Sequence, residues 1–199
     1  MKFIKENSYD IVKFFVYQLG LAIFSLTLAI PLEAAVEEAS TGAIVQLCVS
    51  ILAIAFYVVL VYTVSWEHGA TDRIRIDAGK ATQDRFKGAK IAALACIPNL
   101  IVSLIAIVSA LLYSDGNAWT AVLGVTLMIL GLIESMYLGA VEFISSALVE
   151  GTSVFYLVKS VCFFVFPFII VLGAHFGYVM GDKNKRLFGF MSNKKQSKK

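Results

Sequence analysis

The chain has 199 residues, 59% of them hydrophobic and 16% charged, with 17 Lys and Arg against 14 Asp and Glu and a mean hydropathy of +0.80. That balance lies far from soluble-domain averages and speaks against a soluble fold. It leaves room for one all-α bundle of five to six membrane-embedded segments at roughly 20 residues per span, and for no second domain.

Charge is distributed rather than spread evenly. Sixteen of the 17 bases fall into three blocks, Lys2 to Lys13, Arg73 to Lys90 and Lys183 to Lys199, separated by apolar stretches. Basic segments of polytopic proteins face the cytoplasm, so all three blocks are expected there, in a cell-membrane protein whose N- and C-termini are both cytoplasmic.

The first span is predicted over 11–30, stopped by Pro31 and retained rather than cleaved as a signal peptide. Residues 32–42, with Glu33, Glu37 and Glu38, then lie outside. The second span covers 43–64 and ends at Trp66, an interfacial residue. Residues 67–90 form the one sizeable polar loop, with six bases and four acids. Its interleaved Ile74 and Ile76 suit an interfacial helix or a docking surface, and its bases suit anionic lipids at the cytoplasmic face.

The third span, 91–113, carries Pro98-Asn99, where proline frees a backbone carbonyl that Asn99 helps to satisfy. A short turn at Ser114 to Asn117, with Asp115, returns the chain. The next 32 residues are too long for one straight crossing, about 48 Å against a hydrocarbon thickness of about 30 Å. One crossing here would also put the basic tail outside. A break is therefore placed in 134–140, with 118–133 descending and 137–149 returning as a tilted, buried or re-entrant arm. The last span is 154–180. Residues 1–181 make the membrane domain and 182–199 a basic cytoplasmic tail.

The tightest motif is Gly173-x-x-x-Gly177-x-x-x-Gly181, small residues four apart that let helix backbones approach closely. Gly131, Ser135 and Gly139 repeat the spacing and are a candidate partner face within the chain, and homo-oligomerisation is the other reading. The candidate intramembrane polar site is Glu142, Glu134, His175 and Asn99, because ionisable groups in hydrocarbon are costly and mark pathways for protons or ions. Glu134 and Glu142 have no basic neighbour close in sequence. The sharper expectation falls on Glu142, turned inward toward Tyr137, Asn99 or His175.

Cys48, Cys96 and Cys162 lie in apolar stretches and read as small hydrophobes. No metal-ligand spacing, catalytic motif or phosphate loop is present, so no metal, cofactor or enzyme activity is expected, and a basic tail on a membrane protein gives no case for nucleic acid.

The segments from Trp66-Glu67 to Gly79, Ile97-Pro98-Asn99, Met136 to Gly139 and Gly177-Tyr178 to Gly189 resemble uncharacterised bacterial integral membrane proteins of similar size. In helix count and length the chain is also similar to the substrate-binding membrane subunits of energy-coupling-factor transporters, without their Ala-x-x-x-Ala docking motif in the first span. These resemblances imply a multi-pass bundle and no known activity. Two functions stay open: a small-solute transporter or membrane subunit of a transport system, and a non-enzymatic assembly or regulatory protein acting through a protein partner in the bilayer.

Overall fold

The computed structural model describes residues 2–35, 39–80, 82–114 and 116–185. Glu37, Glu38, Asp115 and the basic tail from Arg186 onward lie outside the described residues. Within them the elements are α1 (Lys2–Glu6), α2 (Ser8–Ala34), α3 (Ala39–Asp77), α4 (Lys87–Leu111), α5 (Ala118–Ile133), a 3₁₀ turn (Ser135–Tyr137), α6 (Leu138–Ser145), α7 (Ser153–Val165) and α8 (Pro167–Asp182). The architecture is all-α.

Among the described residues, four stretches are long and apolar enough to cross a membrane: Ser8–Leu32, Thr41–Asp77, Lys87–Leu111 and Ser153–Asp182. The last joins α7 and α8 across Phe166 and Pro167. Another such stretch, Ala118–Ile133 with Ser135–Ser145, is bent by 88°. Large apolar side chains such as Ile51, Phe56, Ile101, Met128 and Leu172 are exposed around the bundle, while Gln18, Ser25, Ser50, Asn99, Ser103 and Glu134 are buried inside it. An apolar exterior around a partly polar interior is what a lipid solvent selects.

The basic segments gather at one end. Lys90 lies 5.7 Å above the Phe3 ring, His68 lies 3.3 Å from Asp10, and Gln83 donates to Asp182 at 2.9 Å. The starts of α2 and α4 and the ends of α3 and α8 therefore share this basic end. Tyr113, just past α4, packs on Tyr156 in the first turn of α7 with ring centroids 5.0 Å apart, which places the start of α7 at the far end.

The sequence led us to expect a polar loop after Trp66, but α3 continues to Asp77. Its 39 residues span about 58 Å at 1.5 Å each. The reason is tertiary: Gly69 lets α8 approach so closely that a Cβ there would stand 2.9 Å from the Asp182 nitrogen. Asp72, buried on the same face, accepts from Lys87 at 2.7 Å and from the Tyr178 hydroxyl at 2.9 Å. A charged helix end is held between two neighbours instead of unwinding.

The glycine ridge of α8 faces α3. A Cβ at Gly177 would lie 2.5 Å from the Tyr62 carbonyl oxygen, and one at Gly181 would collide with that of Trp66. At Gly173 the nearest neighbour is the Val58 side chain at 3.4 Å, ordinary contact. The ridge is thus used within the chain, with α3 as partner. The second set does not form one ridge, because the helix breaks among its members. Gly131 is half-buried with nothing near its missing Cβ, Ser135 turns toward α2, and Gly139 packs on α3 at Gln46 and Ser50.

Candidate functional site

The bend begins where α5 stops. Glu134 caps its C-terminus, donating its N–H to the Leu130 carbonyl, and the chain tightens through the 3₁₀ turn into α6. A break frees backbone groups that lipid cannot satisfy. Serines of α2 and α3 meet them here: Ser25 donates to the Ser135 carbonyl at 3.3 Å and the Gly139 N–H donates to Ser50 Oγ at 2.8 Å, while Ser135 Oγ ties the bend to α2 by donating to the Ala22 carbonyl at 2.6 Å. Hydroxyls of α2 and α3 hold the bend in place.

Glu134 is consequently carried into the interior, where it is fully buried. It faces Asn99, which is 1% exposed and stands at the middle of α4, twelve residues from either end of Lys87–Leu111. At 1.5 Å per residue that is about 18 Å from each end, the mid-depth of the bundle. Apart from the interaction between these two side chains, neither the Glu134 carboxylate nor the Asn99 amide has a hydrogen-bond partner among the described residues. Tyr57, Cys96 and Tyr137 lie near Glu134 in the same buried layer.

Other polar groups are buried in the bundle interior. Ser103 follows Asn99 by one turn, and its buried Oγ is also unpartnered. On α2 the buried Gln18 has a free Nε2 one turn from both Phe14 and Ala22, whose carbonyls accept from Tyr57 Oη at 3.4 Å and from Ser135. The C-terminal carbonyls of α5 carry partial negative charge toward the break. A carboxylate, amide and hydroxyl oxygens and a negative helix end together favour a positively charged occupant. Among the described residues no set of three or more His, Cys, Asp and Glu side chains could hold a metal ion.

The other candidates lie elsewhere. Glu142, on α6, is half-exposed and pairs with Lys159 of α7 at 2.7 Å, not with Tyr137, Asn99 or His175. Lys159 also lies 4.6 Å above the Phe155 ring. It is the single base outside the three basic blocks, which was the available signal for a partner. His175 stacks on Phe86 near the basic end, ring centroids 5.2 Å apart, with its Nδ1 buried and unpartnered. The sequence reading missed Gln18, Ser25, Ser50, Tyr57 and Ser103, isolated polar groups within apolar runs, and took Cys96 as mere packing.

Four crossing-length helices among the described residues, a bent arm and an apolar exterior define a multi-pass helical membrane protein. Comparison with family models, with curated proteins and with solved structures finds no match.

Proposed function

We propose that this protein is a transport protein of the cell membrane, or the membrane subunit of a transport system, and that Glu134 takes up a proton or a monovalent cation in its working cycle. The observation that carries this reading is the Glu134–Asn99 pair, buried at mid-depth beside the end of a broken helix with no partner beyond each other among the described residues. A charged carboxylate there costs several kcal/mol unless it is protonated or paired, and a site that takes up and releases a proton or cation gives such a group a use. Broken helices whose ends meet ions near the midplane are the way many carriers build such sites. The basic end faces the cytoplasm in this reading, and α5 enters from the opposite side.

The alternative, an assembly or regulatory protein, draws on the glycine ridge, the charged segment after Trp66 and a lack of convergent polar groups, the last of which the buried Glu134–Asn99 pair weakens. Because Gly177 and Gly181 pack against α3 of the same chain, that ridge offers little to a partner. Transport is therefore preferred.

Reconstitution tests the proposal. Liposomes holding the purified protein and a pH-sensitive dye are given a potassium diffusion potential, with sodium or potassium gradients in parallel. Wild-type liposomes should take up protons or one of these cations faster than protein-free ones, and Glu134→Gln should fall to the protein-free rate. Equal uptake by wild type and variant contradicts a role for Glu134.

A further inference from the structure

A second site lies at the basic end, where the end of α3, the connection to α4 and the end of α8 enclose a cleft of about 820 Å³. Arg73, Arg85, Lys183 and Lys185 line it together with the acids Asp77 and Asp182. Arg73 is neutralised by Asp77 at 3.1 Å, and Asp182 accepts from Gln83 at 2.9 Å. Arg85, Lys183 and Lys185 have no ion pair among the described residues. Three uncompensated bases thus converge against one acid.

The lysines are held by backbone structure and do not trail from a loose end. Past α8 the Asn184 N–H bonds to the Gly181 carbonyl and the Lys185 N–H reaches back to that of Met180, with Asn184 in the left-handed region at φ 51°. This is a Schellman termination, which fixes the residues on either side of Asn184. The Trp66 indole then donates to the Lys185 carbonyl at 2.7 Å. Tryptophan marks the boundary between hydrocarbon and headgroups, so the cleft opens at headgroup level. Ile74, 71% exposed, stands at its wall.

We infer that this cleft binds a phosphate-bearing anion, the headgroup of an anionic phospholipid. A guanidinium with two ammonium groups suits phosphate oxygens, which a fork and point charges can share. The depth and the exposed Ile74 favour the lipid over a free anion, because they give an acyl chain apolar surface beside the bases. The site is separate from Glu134 and stands whether or not transport does.

Thermal unfolding of the delipidated full chain in detergent decides the matter, with phosphatidylglycerol, phosphatidylcholine or inorganic phosphate added. Phosphatidylglycerol should raise the midpoint of the wild type and leave Arg85→Gln/Lys183→Gln/Lys185→Gln unmoved, while phosphatidylcholine moves neither. A matched variant, Lys13→Gln/Arg75→Gln/Lys80→Gln, removes as much charge from the same end outside the cleft and should keep the wild-type response. If inorganic phosphate protects as well as the lipid and only the cleft variant loses it, the phosphate site holds with a soluble source. An equal response in the cleft variant, an equal loss in the matched variant, or equal protection by phosphatidylcholine would overturn the inference.

Discussion

At the scale of single residues, two glutamates eight positions apart have opposite surroundings. Glu142 reaches Lys159 at 2.7 Å near the surface, while Glu134 is sealed at mid-depth opposite Asn99 with no ion pair among the described residues. Removing the charge should therefore act differently on each. Glu134→Gln is expected to hold or raise the thermal midpoint in detergent, because a buried carboxyl is replaced by a neutral amide of the same shape that can keep the interaction with Asn99. A marked drop would mean the carboxylate has a stabilising partner. Glu142→Gln and Lys159→Met should each destabilise, and the double variant should cost less than their sum, with a coupling of about 1 kcal/mol or below for a half-exposed pair. Strict additivity would argue that the pair contributes nothing. Both glutamates stand in similar apolar sequence, so local context could not rank them. The difference arises from Lys159, 17 positions beyond Glu142 and brought close only by the turn between α6 and α7.

Among the elements, α3 and α8 share the most extensive interface, and their contact depends on absent side chains. Gly177→Leu or Gly181→Leu would drive a side chain into the backbone of α3, whereas Gly173→Ala meets only ordinary contact and Val179→Leu exchanges apolar groups. The first two should lower the detergent melting midpoint by several kcal/mol equivalent, at or above the about 1–3 kcal/mol of ordinary overpacking, and the last two by little. Equal tolerance of all four would contradict the packing. The glycine motif was readable because its spacing is a property of one helix. Its partner was not, since the groove on α3 is made by the Tyr62 and Trp66 backbone, which any residue type supplies. The break at Glu134 was readable from length and charge, and its stabilisation by Ser25 and Ser50 from distant helices was hidden. The continuation of α3 was misread because Asp72, Arg73 and Arg75 look like loop residues until Lys87 and Tyr178 are seen around Asp72.

Taken as a whole, the molecule gathers its basic segments at one end and sends an arm in from the other. α5 starts beside the end of α4, turns at Glu134, and α6 comes back across the far half of α3 before α7 begins at Tyr113. Read as an arm that enters and leaves on one side, α5 and α6 deliver a carboxylate to mid-depth without a fifth full crossing. The number of regular spans could not be settled from composition, because the eight residues of α6 are too few to cross and too apolar to be a loop. Cysteine labelling in intact cells tests this arrangement directly. In a background where Cys48, Cys96 and Cys162 are replaced by alanine, single cysteines are placed at Gly116, Ser146, Lys80 and Lys183 and challenged with a membrane-impermeant thiol reagent. Labelling of Gly116→Cys and Ser146→Cys from outside, with Lys80→Cys and Lys183→Cys reached only after the membrane is opened, is the predicted result. Labelling of positions 116 and 146 from opposite sides would make α5 and α6 a complete crossing and contradict the re-entrant arm that carries Glu134.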